Sequence, residues 1–264
     1  MNIFVRELKA NFKSLIIWGV IVALFAVVGT SKFSAYFENP EMLAIMDTFP
    51  PAMLEAFSLN AFNLTTVTGF FGVMFSYYAL LLCIAAAMWG SDIISKEERD
   101  KTVEFALTLP VTRSRVVTAK TLAALVNCIG LLLITWGASL VASQPYNPDS
   151  AFYTFTALCM VALFLMQLIF LAVGIFLGCA LKQYRRAGSL AVSVLLGTYF
   201  LSILVGLNRD LDFLKYFTPF KYFDAVKMLN QSKIDPLFVA LSLAIVAASM
   251  AGAYVTYARR DLYI

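Results

Sequence analysis

SDIISKEERDKTVEFALTLPVTRSRVVTAK, residues 91–120, decides the fold of this chain because it is a dense island of charge between two long uncharged stretches. Residues 56–91 precede the island and residues 121–148 follow it, and neither stretch contains Asp, Glu, Lys or Arg. A helix crosses a bilayer with roughly 20 apolar residues. We therefore interpret the island as a cytoplasmic loop between two membrane spans, with a surface that contacts a soluble partner.

The composition is that of an integral membrane protein. Hydrophobic residues make up 61% of the chain, charged residues 14%, and the mean hydropathy is +0.82, which lies outside the range of soluble domains. Six charge-free stretches are each long enough for one helix. The predicted spans are residues 14–31, 68–91, 120–142, 152–181, 187–207 and 236–258.

The basic residues predict the orientation of these spans. With a cytoplasmic N-terminus, the four inner segments hold three, six, three and two Lys or Arg residues, which is 14 of the 20 in the chain. Basic residues are enriched in cytoplasmic loops, so both termini are expected in the cytoplasm. The net charge of +4 then reflects topology, and we predict no nucleic-acid binding.

Reactive residue types are scarce. There is no histidine, which removes the commonest general base and metal ligand. The four cysteines (Cys83, Cys128, Cys159 and Cys179) fall inside predicted spans without metal-ligand spacing, so we interpret them as small packing residues. We predict no catalytic residue, metal site or bound cofactor in this chain.

Three segments outside the spans have structural signals of their own. Residues 2–13 separate apolar from basic positions, which predicts an amphipathic helix on the inner membrane surface; a disordered lead-in is the alternative. An aromatic-rich stretch, 208–235, predicts an outer helical segment between spans 5 and 6, with a short helix over 224–231. An ordinary interfacial loop is the alternative there. Gly174 and Gly178 match the G-x-x-x-G pattern of close helix packing.

Within the island, apolar residues recur at helical spacing. Val103, Ala106, Leu107 and Pro110 stand at i, i+3, i+4 and i+7. This pattern predicts a helix lying along the inner surface, with one face toward the spans or lipid and the other toward the cytoplasm. Pro110 is expected to end it.

The order of residues in the island resembles the loop between spans 2 and 3 of ABC-2 family permeases. It runs through Glu97-Glu98, then Thr102-Val103-Glu104, then LTLPVTR at 107–113, and ends in Lys120. FPPAMLEAF at 49–57, LKYFTPFKYFDA at 214–225 and ARRDLYI at 258–264 are similar to other segments of the same family. One departure is Lys101, where family members often carry Gly before the Thr-x-Glu.

The resemblance implies a single permease domain over residues 1–264 and a coupling helix that docks on a separate ATP-binding subunit. The chain has no G-x-x-x-x-G-K-[ST] motif, so ATP and Mg are expected on that partner. The expected partners are the ATPase, a second copy or a related permease, and the bilayer of a bacterial or archaeal cell. The residues expected to couple to the ATPase are Glu97, Glu98, Arg99, Lys101, Thr102, Val103, Glu104, Phe105, Leu107, Pro110 and Arg113.

Among these residues, we expect Glu97, Glu98, Arg99 and Glu104 to make polar contacts with the ATPase. Val103, Phe105 and Leu107 are expected to fill its groove or to hold the helix to the spans. A solvated loop that obeys the positive-inside rule is the alternative. That alternative explains the basic residues but not the five acids among them.

Other functional classes fit the sequence less well. A secondary transporter usually carries ionisable groups in its spans, and the six charge-free stretches contain none. A membrane enzyme would need a nucleophile with a base, a metal cluster or a carboxylate pair, and ranks third. A non-transporting scaffold or immunity component stays open, and so does the identity of the substrate.

Overall fold

The computed structural model describes residues 2–37, 62–99, 111–181 and 183–259, together with the single residues 39, 50 and 54. Every regular element in these ranges is helical. Seven α-helices are used below: α1 (Ile3–Phe33), α2 (Val67–Arg99), α3 (Arg113–Ser143), α4 (Ser150–Ala180), α5 (Tyr184–Leu207), α6 (Ala225–Gln231) and α7 (Pro236–Arg259).

Six of these helices are long and apolar enough to cross a membrane, all except the short α6. Each predicted span lies within one of them, apart from a residue at the end of span 4. The all-helical membrane fold predicted from the charge-free stretches is therefore confirmed.

Helices α2 and α4 form the centre of the bundle and pack against each other more extensively than any other pair. In their most apolar stretches 61% of the residues are buried, against 17% in α1 and α7 and 22% in α5. Apolar side chains such as Phe12, Ile17 and Leu24 point outward from α1. Such an outward apolar surface suits contact with lipid.

Glycines allow the two central helices to approach closely. A Cβ atom added to Gly174 would lie 2.6 Å from the carbonyl oxygen of Ala87, and one added to Gly90 would lie 2.4 Å from that of Leu171. Gly178 faces the backbone of Ser91 in the same way. The G-x-x-x-G pattern therefore marks a close approach between two helices of one chain.

The segment between α5 and α7 is helical, as predicted from its aromatic residues. It consists of two 3₁₀ helices, Arg209–Phe217 and Pro219–Lys221, followed by α6. Asp224 caps α6 by accepting from the backbone N–H groups of Val226 and Lys227. The ring of Tyr222 stacks on Phe238 of α7 at 5.1 Å between centroids, which fixes this segment to the bundle.

The prediction of a separate amphipathic helix over residues 2–13 needs correction. These residues are helical, but α1 runs without a break from Ile3 to Phe33. The side chain of Phe12 is exposed, whereas Glu7 and Asn11, one turn apart, are buried. The reason is electrostatic, because Glu7 turns inward to cations described below.

The four cysteines are buried and do not form disulfides, in agreement with their interpretation as packing residues. Two other predictions, the FPPAMLEAF segment and the tail after Arg259, fall almost entirely outside the described residues.

Candidate functional site

Four helix ends meet at one end of the bundle, which we name the charged end. They are the start of α1 with Arg6, the last turn of α2 with Glu97, the start of α3 with Arg113, and the last turn of α7 with Ala258. Between α2 and α3 runs the segment 100–110. The predicted coupling residues Lys101, Thr102, Val103, Glu104, Phe105, Leu107 and Pro110, and the side chain of Glu98, lie outside the described residues. Apart from the side chain of Glu98, the structure describes both flanks of this segment.

Glu97 forms the first flank and binds two cations from other helices. Its Oε1 atom lies 2.9 Å from Nη2 of Arg6 on α1 and 3.1 Å from Nζ of Lys120 on α3. Glu97 is only 7% exposed. Its carboxylate therefore ties the end of α2 to two neighbouring helices.

Glu7 extends this arrangement into the interior. It is 0% exposed, pairs with Arg6 at 3.2 Å, and forms a close ion pair with Lys96. Lys120, also 0% exposed, donates a second hydrogen bond to the carbonyl oxygen of Ile93 at 2.7 Å. We call the five residues Arg6, Glu7, Lys96, Glu97 and Lys120 the buried ionic cluster.

The buried ionic cluster holds three cations and two carboxylates. Desolvating isolated charges costs several kcal/mol per ion, so such groups are kept only where partners satisfy them. Removing one partner of a buried pair typically costs about 3–5 kcal/mol. The cluster therefore strongly favours one arrangement of α1, α2 and α3.

Arg113 forms the second flank. Thr112 caps α3 by accepting from the backbone N–H of Arg115, and Arg113 then contacts the neighbouring helix α7. Its Nη1 atom donates to the carbonyl oxygens of Tyr257 at 3.3 Å and Ala258 at 3.1 Å. A cation at the carbonyl end of a helix is favourable, so Arg113 joins the start of α3 to the end of α7.

A cavity of about 510 Å³ opens beside the first flank. Its walls come from α1, α2 and α5, and Arg99 lies at the charged end of it, where it forms an ion pair with Asp92. The indole N–H of Trp89 donates to the hydroxyl of Ser14 at 2.8 Å and so joins α2 to α1 across the cavity wall.

The structure places the described coupling residues in three different environments. Glu97 points inward and is bound by cations of its own chain, Arg99 is exposed at the cavity, and Arg113 contacts the end of α7. Their contact with an ATPase stays a prediction.

Sequence reasoning missed Glu7, Lys96 and Lys120 as members of one site. Glu7 carried a signal, since it is the single acid among the first 37 residues. Lys96 looked like an ordinary basic residue flanking a span, and Lys120 was noted only as the end of the segment that resembles the ABC-2 loop.

A comparison with known families settles the broad assignment. The family model described as ABC-2 family transporter protein matches residues 1–262. The chain belongs to the ABC-2 family. No curated protein matches it.

Membership accounts for the architecture of this ABC-2 permease. It is a multi-pass transmembrane transport subunit that is not itself catalytic. ABC-2 permeases work with an ATP-binding subunit in the membrane. The charged end, where the segment 100–110 departs and returns, is the part of this permease that requires a functional explanation.

Proposed function

We propose that this ABC-2 permease forms the translocation pathway of an ATP-driven exporter and is driven by a separate ATP-binding subunit that docks on residues 97–113. The observation that carries the proposal is the anchoring of both flanks of segment 100–110. Glu97 binds α1 and α3, and Arg113 binds α7.

This anchoring supports a mechanical role for the segment. A force applied to residues 100–110 reaches α2 and α3 directly through the chain. Ion pairs of Glu97 pass it to α1, and the bonds of Arg113 pass it to α7. Packed helices with discrete arrangements carry such displacements over long distances. Four of the six long helices would then move with the docked ATPase.

The proposed orientation places the charged end in the cytoplasm, where ATP is available. Of the basic residues assigned to the inner side, Arg6, Lys96, Arg113 and Arg259 lie in the terminal turns of helices that meet at this end, and Lys120 lies two turns into α3. An excess of Lys and Arg on the cytoplasmic side is the rule for membrane proteins. Both termini would accordingly be cytoplasmic.

Six spans would form half of a pathway, so the proposal includes a second copy of the chain or a related permease. ATP and Mg would be bound by the ATPase partner, because this sequence lacks the G-x-x-x-x-G-K-[ST] phosphate-binding loop. ATP binding would close the ATPase subunits, and the permease would rock between two packings of its helices.

Affinity purification tests the proposal. The tagged permease is purified from its native membrane in mild detergent, and ATP hydrolysis and co-purifying chains are measured. The Glu98→Lys/Glu104→Lys variant is compared with an Arg115→Glu/Arg186→Glu variant, which alters exposed charges outside segment 97–113. Loss of a co-purifying ATPase in the first variant but not in the second supports the proposal. Recovery of no ATPase with the unmodified permease contradicts it.

The buried ionic cluster favours a second candidate, a secondary transporter. Such transporters usually carry ionisable side chains within their bundle of helices, and Glu7, Glu97 and Lys120 are buried in this one. Against this, Glu7, Glu97 and Lys120 are all paired within the cluster. Reconstituted vesicles distinguish the two mechanisms, since an exporter of the proposed kind moves cargo with ATP and its ATPase, and a secondary transporter moves it with an ion gradient alone.

A further inference from the structure

The cavity beside the buried ionic cluster reaches from the charged end into the membrane interior. Its wall on α2 includes Ser95 and Met88, and Met88 lies 11 residues before Arg99, the last residue of α2. A helix of that length rises about 16 Å. The hydrocarbon core of a bilayer is about 30 Å thick, so the inner end of the cavity lies at the depth of lipid chains.

The inner part of the cavity is apolar. Trp18 of α1, Met88 of α2 and Val192 of α5 line it. The nearby indole N–H of Trp89 is already bound to the hydroxyl of Ser14. Surfaces of this kind give water little to bond with, and apolar cavities in proteins stay dry and bind apolar molecules. This part of the cavity therefore fits a hydrocarbon chain.

The cavity is also open toward the membrane. Helix α1 packs mainly on α3, and α5 packs on α2 and α4. Between α1 and α5 part of α2 is left uncovered, and Met88 in this part is 43% exposed. Ile17 of α1 and Val194 of α5 are exposed as well, so the opening continues the apolar outer surface of the bundle. A lipid chain can therefore enter the cavity sideways.

We infer that this cavity holds the acyl chain of a membrane lipid, packed against Trp18, Met88 and Val192. Side chains that line a void lose dispersion contacts, and a chain from the surrounding bilayer restores them. The volume of about 510 Å³ lies within the range of about 300–1,000 Å³ that is usual for small-molecule sites. Any phospholipid can supply such a chain, because the contacts are apolar. The binding requires no ATPase and is independent of the proposed coupling role.

Tryptophan fluorescence provides a direct test, because the chain contains only three tryptophans and two of them line the cavity. The Trp18→Phe/Trp136→Phe variant leaves Trp89, which is 4% exposed. This protein is placed in nanodiscs of phosphatidylcholine with either ordinary or brominated chains, since bromine quenches an indole that it approaches closely. Acrylamide, a quencher dissolved in the water, is added in a separate measurement. No ATP is present.

We expect brominated chains to quench Trp89 and acrylamide to leave its fluorescence almost unchanged. In the same background, Ser189→Phe/Val192→Phe places two rings on the cavity wall and should lose most of the quenching by bromine. The matched control is Ser193→Phe/Val194→Phe, which adds the same rings to the same helix at exposed positions outside the cavity. This control should keep the quenching.

Three results would overturn the inference. The first is equal fluorescence of Trp89 in ordinary and brominated lipid, a comparison that decides the matter even if the phenylalanine variants fail to fold. The second is quenching by acrylamide as strong as that of free tryptophan, which would show that water fills the cavity. The third is equal quenching by bromine in the two phenylalanine variants, which would show that bromine reaches Trp89 from outside the cavity.

Discussion

The carboxylate of Glu97 lies 3.1 Å from the ammonium group of Lys120, so the last turn of α2 and the first turns of α3 are joined by a buried ion pair. Between these two residues runs segment 100–110. The ion pair thus joins the two ends of this loop. Separating them would leave Glu97 or Lys120 buried without its partner or would expose it to solvent. This explains how a docked partner could move two helices as one unit.

Replacing Lys120 with Met should destabilise the permease. The substitution leaves Glu97 with one cation and removes the bond to Ile93 O. Breaking a buried pair in this way costs about 3 kcal/mol, so the melting temperature in detergent should fall clearly. Lys9→Met, an exposed lysine of α1, is the control and should leave the melting temperature almost unchanged. Equal effects of the two substitutions would contradict a structural role for the ion pair.

Removing both members of the pair should cost less than the two single substitutions together. The double variant Glu97→Gln/Lys120→Met removes the carboxylate together with the cation that it binds. Neutral side chains of similar size then fill the site. A coupling free energy of about 0.5–3 kcal/mol is typical of residues in contact. A thermal double-mutant cycle measures it, and simple additivity would show that Glu97 and Lys120 do not interact.

Replacing Arg113 with Gln should loosen the end of α7. Its guanidinium group donates to the carbonyl oxygens of Tyr257 and Ala258, and without it these groups lose a favourable cation. Hydrogen exchange of a peptide covering the last turns of α7 should become faster, while that of α2 stays as before. Arg115→Gln is the matched control. An unchanged exchange rate in the Arg113→Gln variant would show that this contact does not stabilise the end of α7.

The positions of the six long helices could be predicted from the sequence because a single property, the absence of charge over about 20 residues, decides whether a segment can enter the bilayer. The helical segment between α5 and α7 was predictable for a similar reason, since its aromatic residues cluster around Pro219. Such signals are local, and they do not depend on how helices are rotated against one another.

The pairing of Glu97 with Lys120 and Arg6 could not be predicted, because it depends on the rotation of three helices about their axes. The same holds for the cavity, whose residues come from α1, α2 and α5. The continuous α1 was missed for another reason. Basic residues normally keep a segment in the headgroup region, but in this chain Glu7 turns inward and pairs with Arg6 of the same segment and with Lys96 of α2.

The stability contributed by Tyr222 should depend on pH. Burial raises the pKa of this phenol above its ordinary value of 10.0, and its hydroxyl donates to the carbonyl oxygen of Tyr216 at 2.5 Å. With a raised folded-state pKa, the contribution is complete below pH 10 and is lost as the pH rises through the folded pKa. The melting temperature of Tyr222→Phe should therefore be below that of the unmodified permease at pH 8, and the gap should narrow above pH 10. A gap that stays constant would contradict this.

Replacing Gly174 with Ala should disturb the contact between the two central helices. The new methyl group would lie 2.6 Å from the carbonyl oxygen of Ala87 and 3.1 Å from the amide nitrogen of Ser91. Both are backbone atoms, so α2 and α4 must move apart, at a cost of about 1–3 kcal/mol. Gly197→Ala in α5 is the control, because a Cβ atom there meets nothing within 4 Å and Ala favours a helix by about 1 kcal/mol. The first variant should melt at a lower temperature and the second at the same or a higher one. If both variants behaved alike, the close approach of α2 and α4 would not be what requires glycine at this position.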